Sequence, residues 1–431
     1  MILTIIIFAD MLTFLFIRRC IFDYYHKIFA YLMLTGFTLY SGIGIQFQQN
    51  KISTPYIYLM QFVLFMIVFV FMIWFSERLK KGKALSDSDI ILNSSILIVF
   101  TIIYLFTFLY QLIYSGRSIN SFTDIVNIFI HYSPTTFSER LSRKNNEMYV
   151  IMTNQIRSIA APFFYIYLYK VKDKIFKFLL LFTMPILLKT VADGYLSRNN
   201  IAVYLAFIGI YLVKEKYIPK TVAKFSLLII IPIGLFLFYI MSQIRLGTQS
   251  DISFWQGTWN LIDSESSYPQ YYDYANQVNS NVNIINFIIY IFIVCIPSSF
   301  YDLIHFSIPN LAYTFTETIL GLSYGETNNY YILLPSVLGE AIMLCGKYFA
   351  FTYAFIYGIV STWFLRLLKR NKSLEYLLIY YLLDFFRQFR GGSQYVITAW
   401  ETQLVPLIII VFFYKLVIKN GVAKERNEYN V

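Results

Sequence analysis

The sequence is poor in the residues that carry redox and metal chemistry. It contains only three cysteines and three histidines in 431 residues. Cys20, Cys295 and Cys345 lie far apart, which argues against a disulfide framework and a zinc site. The sequence also lacks a Gly-rich phosphate loop and the GxSxG and HExxH motifs. We therefore expect neither a metal nor a cofactor.

Charged residues are scarce as well. Only 14% of the residues are charged, whereas 58% are hydrophobic. Runs such as residues 56–76 are apolar on every face, which is typical of a spanning helix and not of an alternating barrel strand. The sequence therefore predicts an all-α polytopic integral membrane protein. Its first apolar run, residues 2–17, follows no basic segment and is expected to be a span and not a cleaved signal peptide.

The basic residues predict the topology. Because Lys and Arg favour short cytoplasmic loops, we attribute the net charge of +11 to those loops and not to nucleic-acid binding. Basic clusters begin at Arg18, Arg78, Lys170, Lys214, Arg366 and Lys415. Every second loop through the eighth predicted span is such a cluster. This pattern predicts an outer N-terminus, a cytoplasmic C-terminus and an odd number of spans, 11 or 13, with residues 284–368 leaving the number open.

Two predicted outer segments are long for a membrane protein. Residues 244–283 and 301–346 are rich in Tyr, Trp, Asn and Ser. Long connections are often functional, and amphipathic aromatic side chains suit carbohydrate. We expect a single transmembrane domain, residues 1–431, in which these segments cap an active site. The alternative for most of the aromatic residues is an interfacial belt.

Several arginines depart from the basic-inside pattern. Arg198, Arg245, Arg387 and Arg390 lie at predicted outer ends of spans. Because a guanidinium group binds phosphate oxygens in pairs, convergent outer arginines could bind a pyrophosphate group. The alternative is that each extends singly to the lipid headgroups.

Arg157 is the ionisable residue placed most deeply in a predicted span. A charged group at that depth is costly and usually faces the protein interior or water. Arg157 could line a pocket for a lipid diphosphate. It could also form a structural pair with Asp10 or Asp384, and the sequence does not separate these possibilities.

Three short motifs resemble those of a known family, the O-antigen polymerases, also called Wzy-type oligosaccharide repeat unit polymerases. They are the segment 196–201, which reads LSRNNI with Asn199 where the family has Gly, the segment 338–346, which reads LGEAIMLCG, and Arg390-Gly-Gly. The layout is similar over essentially the whole chain. Related O-antigen ligases carry a His-Asn pair in the late outer loop, where this chain has Thr327-Asn-Asn, so the resemblance favours a polymerase.

The resemblance implies a metal-independent inverting glycosyltransferase with a GT-C-like membrane architecture. Its substrate would be an undecaprenyl-diphosphate-linked oligosaccharide at the outer face of the bacterial inner membrane, and a chain-length regulator would be a possible protein partner. Arg198, Arg245 and Arg390 would stabilise the negative charge that develops on the leaving diphosphate.

The implied reaction also requires a base that deprotonates a hydroxyl of the incoming repeat unit. The candidates in the outer loops are Glu340, Glu326 and His305. Glu340 comes first because of its motif, but it could instead be a carboxylate at a helix N-terminus.

Two other functions remain open from the sequence. A flippase or transporter for the same lipid-linked sugar is expected to have related halves and short loops, whereas this chain has no visible repeat and long outer loops. A ligase-type transferase is the second alternative.

Overall fold

The computed structural model describes most of the chain, and every structural statement below concerns that part. The described residues are 1–79, 92–114, 148–193, 198–219, 221–222, 270–279, 311–322, 332–369, 371–393 and 400–415, with isolated positions 232, 236, 284, 285, 287 and 289.

The described part of the chain is helical and contains no strand. Its α-helices are α1 (Ile2–Cys20), α2 (Tyr24–Phe37), α3 (Ile43–Gln48), α4 (Pro55–Arg78), α5 (Ser94–Tyr114), α6 (Met148–Lys170), α7 (Ile175–Asp193), α8 (Arg198–Lys214), α9 (Tyr271–Val278), α10 (Leu311–Leu320), α11 (Ser336–Cys345), α12 (Tyr353–Lys369), α13 (Glu375–Asp384), α14 (Gln388–Gly391) and α15 (residues 405–415). Two π-helical turns are Thr38–Gly42 and Trp400–Leu404. Three 3₁₀ turns are Ala350–Thr352, Lys372–Leu374 and Phe385–Arg387.

Five of the described helical segments are long and apolar enough to cross a membrane. They are Tyr24–Gln48, Pro55–Arg78, Ser94–Ile113, Ile175–Ala192 and Ala350–Lys369. A span needs about 20 predominantly apolar residues, and these segments have few charged groups to desolvate. Their presence confirms the prediction of a helical membrane protein.

One apolar helix in the region of uncertain topology is too short to span. Helix α11 contains 10 residues. At 1.5 Å per residue it is about 15 Å long, roughly half the thickness of a bilayer core. Helix α11 by itself therefore adds no span between residues 284 and 368.

The core around α2, α4 and α12 is built from aromatic side chains and glycines. The ring of Phe37 stacks on Phe62 and Phe65 at centroid distances of 4.9 and 4.8 Å. A Cβ atom built on Gly358 of α12 would lie 2.7 Å from the Cβ of Met72 in α4. Small residues let membrane helices approach closely, so Gly358 sets the contact between these two spans.

Loops that the sequence predicts to be cytoplasmic meet at one end of the bundle. Lys369 forms an ion pair with Asp23, and Lys214 forms one with Glu375. Glu77, near the end of α4, accepts hydrogen bonds from the backbone N–H groups of Phe22 and Asp23. This end therefore joins the termini of α1, α4, α8 and α12.

The beginning of α4 marks the opposite end of the bundle. Asp273 of α9 accepts hydrogen bonds from the Ser53 backbone N–H at 2.7 Å and from the Tyr58 hydroxyl at 2.7 Å. A helix of the length of α4 separates the two ends by about 36 Å. The basic loops and the loop at residues 51–54, which charge alone assigns to opposite sides of the membrane, therefore lie at opposite ends of the bundle.

Candidate functional site

The local sequence places Glu340 one turn inside α11. Pro335 precedes the helix, and Ser336 begins it with a left-handed backbone, φ 58°. The Ser336 hydroxyl oxygen accepts a hydrogen bond from the Gly339 N–H at 3.2 Å, which satisfies one of the free donors of the first turn. Glu340 follows and is only 2% exposed.

The Glu340 carboxylate binds a turn that lies far away along the chain. Its oxygens accept hydrogen bonds from the Ser393 backbone N–H and from the Ser393 hydroxyl, the latter at 2.6 Å. The Tyr353 hydroxyl donates to the same carboxylate at 3.2 Å and lies 2.9 Å from the Ser393 hydroxyl oxygen. Gly392 has a φ of 86°, and a Cβ there would collide with the Glu340 carboxylate. The Gly339-Glu340 and Arg390-Gly-Gly motifs are therefore in direct contact.

Glu340 is the buried ionisable group of this contact. Desolvation raises the pKa of Glu340 to about 7, while the hydrogen bonds from Ser393 and Tyr353 act in the opposite direction. Because these donors occupy the carboxylate, its evident task in this geometry is to hold the turn at residues 391–393.

The remaining residues that the sequence singles out are placed as follows. Arg390 is half-buried at the end of α14, directly before the turn that Glu340 holds. Arg198 is the first residue of α8 and Arg387 ends a 3₁₀ turn, and only their backbones are described. Glu326, His305 and Arg245 lie outside the described residues.

Arg157 is held against α5. Its guanidinium group donates to the Thr107 carbonyl oxygen at 3.1 Å and to Gln111 Oε1 at 2.7 Å. The guanidinium carbon also lies 3.9 Å from the centre of the Phe108 ring. Asp10, one of the partners that the sequence allows, instead accepts a hydrogen bond from the Thr38 hydroxyl at 2.8 Å.

Arg157 lines a partly open cavity of about 260 Å³ together with Lys189. Four tyrosines contribute to the wall, namely Tyr104, Tyr165, Tyr204 and Tyr380. None of the described residues that line the cavity is acidic. Arg157 and Lys189 each lie about 20 Å along α6 and α7 from the helix ends next to the basic residues at 170–177. The cavity therefore suits a ligand that is both anionic and partly apolar.

Two of these arrangements could not be anticipated from local patterns. Lys189 is visible in the sequence as a cation in an apolar helix, but nothing there pairs it with Arg157. Ser393 and Tyr353 carry no local signal at all, because their importance comes from a carboxylate on another helix.

Known proteins do not identify the chain. No protein-family model, characterised protein or solved structure matches it. Among the described residues, no group of three or more His, Cys, Asp and Glu side chains could hold a metal ion. The function therefore has to be argued from the chain itself.

Proposed function

We propose that this protein polymerises undecaprenyl-diphosphate-linked oligosaccharide repeat units by inverting glycosyl transfer. It acts at the outer face of the bacterial inner membrane as a metal-independent glycosyltransferase with 11 to 13 spans and a GT-C-like architecture. Its N-terminus is outside and its C-terminus cytoplasmic. A chain-length regulator is its expected protein partner.

The cavity between α5, α6, α7, α8 and α13 is the observation that carries this proposal. A lipid diphosphate combines charge with an apolar chain and a sugar, and the cavity combines Arg157 and Lys189 with tyrosine walls at membrane depth. Cations at that depth are costly, and two that line the same cavity favour an anionic ligand. Guanidinium and ammonium groups both bind phosphate oxygens, the former in a bidentate way.

The proposed reaction assigns roles to the Arg157 cavity and to the contact between Glu340 and Ser393. An acceptor hydroxyl attacks the anomeric carbon of the donor, and the bond to the diphosphate breaks. Arginine and lysine stabilise the charge that develops on the leaving diphosphate, and losing one such contact typically costs about 3 kcal/mol of barrier. Arg390, with Arg198 and Arg245, belongs to this set in the proposal. Glu340 is a positioning residue, because it holds the turn that follows Arg390.

The experiment is a gel of surface polysaccharide from cells that carry the intact gene, a deletion, or one of three variants. Arg157→Gln and Lys189→Gln remove the cavity cations. Lys177→Gln, an identical change on the same helix as Lys189, alters a lysine that lies outside the cavity lining. We expect the deletion, Arg157→Gln and Lys189→Gln to leave a single capped repeat unit, and Lys177→Gln to give the normal ladder.

Other results would indicate a different function. Loss of every repeat from the outer face in the deletion would mean that export has failed, and the protein would then be a flippase. Long polymer that stays on the lipid carrier and never reaches its final acceptor would indicate a ligase-type transferase. A normal ladder from Arg157→Gln and Lys189→Gln, with expression verified, would remove the cavity from the proposal.

A further inference from the structure

Glu401 is a buried carboxyl group without a hydrogen-bonding partner in the described part of the chain. It is 3% exposed, and neither of its carboxylate oxygens accepts or donates a hydrogen bond there. The great majority of buried side-chain polar atoms in proteins are paired, and burying an unpaired ionised carboxylate is strongly unfavourable. Glu401 is therefore expected either to bind a ligand or to hold a proton.

The backbone around Glu401 is also unusual. The residue lies in the π-helical turn Trp400–Leu404, immediately before α15. Single π-helical turns within helices are rare and occur frequently at functional sites. This is a second observation, independent of burial, that singles out the same side chain.

The π-helical turn belongs to the wall of the Arg157 cavity. It packs against α6, the helix that carries Arg157. Gln403, two residues after Glu401, lines the cavity and accepts a hydrogen bond from the Tyr381 hydroxyl at 2.6 Å. Glu401 belongs to this turn but does not line the cavity, so its contact with a bound substrate requires the turn to rearrange.

The proposed reaction requires a proton acceptor that Glu340 is poorly placed to provide. The Glu340 oxygens already accept hydrogen bonds from Ser393 and Tyr353. Glu401 is equally buried, but neither of its oxygens has a hydrogen-bonding partner in the described part of the chain.

We propose that Glu401 is the catalytic base of the transfer. This inference rests on the proposed polymerase function. When the donor is bound, Glu401 has released to water the proton that it holds in the absence of the donor, and its carboxylate accepts the proton of the acceptor hydroxyl as that oxygen forms a bond to the anomeric carbon. The bond between the anomeric carbon and the diphosphate oxygen breaks, and its electron pair leaves with the lipid diphosphate. Arg157 and Lys189 face the departing charge.

The first test uses the purified full-length protein in liposomes. The probe is the lipid-linked single repeat unit extracted from cells that lack the gene. The variants are Glu401→Gln, Glu401→Asp and the control Glu77→Gln, whose amide oxygen can still accept from Phe22 and Asp23 at the other end of the bundle. We expect Glu401→Gln to lower kcat at least about 100-fold with KM changed less than about threefold, since general bases typically contribute 10²–10⁴-fold. Glu401→Asp should retain part of kcat, and Glu77→Gln should match the wild type.

The second test needs no variant and covers the case in which Glu401→Gln does not fold. Dicyclohexylcarbodiimide, which modifies protonated carboxyl groups in apolar surroundings, is applied to the wild type, and adducts are mapped by mass spectrometry. We expect an adduct on Glu401 that the lipid-linked repeat unit prevents.

The outcomes distinguish a failure of the role of Glu401 from a failure of the proposed function. A wild type that does not extend the repeat unit would overturn the proposed function itself. A wild type that extends it, together with a folded Glu401→Gln that keeps kcat or changes only KM, would overturn the role of Glu401 alone. The absence of an adduct on Glu401, or an adduct that the repeat unit does not prevent, would overturn that role as well.

Discussion

The carboxylate of Glu340 accepts hydrogen bonds from both the backbone N–H and the hydroxyl of Ser393, 53 residues further along the chain. This relationship joins α11 to the turn that follows α14. It also explains why the turn contains Gly392, since the carboxylate occupies the space that a Cβ would need.

The first prediction concerns Gly392→Ala. Gly392 and Gly321 both have a left-handed backbone, with φ of 86° and 64°, but of the two only Gly392 has a close neighbour among the described residues. Alanine in that conformation costs roughly 1–2 kcal/mol, and overpacking adds about 1–3 kcal/mol. We expect Gly392→Ala to lower the apparent melting temperature in detergent clearly more than Gly321→Ala, and to shorten the polysaccharide ladder. Equal losses for the two variants would contradict the contact with Glu340.

The second prediction concerns pH. Because burial raises the pKa of Glu340 to about 7 in the folded protein, the native state holds a proton that the unfolded chain, with the ordinary value of 4.5, releases. The stability should therefore fall as the pH rises from about 5 to about 7, by at most about 3 kcal/mol.

Melting curves in detergent across this range would measure the effect. Glu340→Gln cannot ionise at this position and should not lose stability as the pH rises, whereas Glu77→Gln should lose stability as the wild type does. A decrease of wild-type size in Glu340→Gln would assign the pH dependence to another group.

The third prediction concerns the contact between α4 and α12. Alanine at position 358 would press its Cβ against Met72, whereas a Cβ at Gly209 of α8 meets none of the described atoms within 4 Å. We expect Gly358→Ala to cost about 1–3 kcal/mol by overpacking and Gly209→Ala to be neutral or slightly stabilising. Thermal unfolding of both variants in the same detergent measures the difference. If Gly358→Ala is as stable as Gly209→Ala, the two spans do not pack as described.

The fourth prediction concerns orientation. Lys51 and Lys174 are both exposed, and they lie at opposite ends of the bundle. In a background with Cys20, Cys295 and Cys345 replaced by serine, a membrane-impermeant thiol reagent should label Lys51→Cys in intact cells. Lys174→Cys should react only after the membrane is opened, because its loop is basic and is therefore expected to be cytoplasmic. The reverse pattern would invert the topology and move the 51–54 loop to the cytoplasm.

Local sequence was sufficient for the class of fold. The apolar run at residues 56–76 predicts a span, and the structure has α4 there. The signal is strong because hydropathy and helical periodicity are properties of a single segment. The positions of Lys172, Lys214 and Lys369 likewise follow from charge alone, and they gather at one end of the bundle.

The site was only partly accessible from the sequence. Its motifs indicated Glu340 and Arg390 separately, and the contact between the two motifs became visible only through Ser393. Arg157 was recognised as an intramembrane cation, but its hydrogen bonds to Thr107 and Gln111 depend on how α5 packs on α6.

The sequence by itself therefore determined that this is a helical membrane protein, because this follows from the free energy of placing single segments in lipid. The tertiary structure alone decided that Glu340 holds Ser393, that Arg157 and Lys189 face one cavity, and that Glu401 has no partner in the described chain. These facts are contacts between residues distant in sequence, and such contacts are set by how whole helices pack.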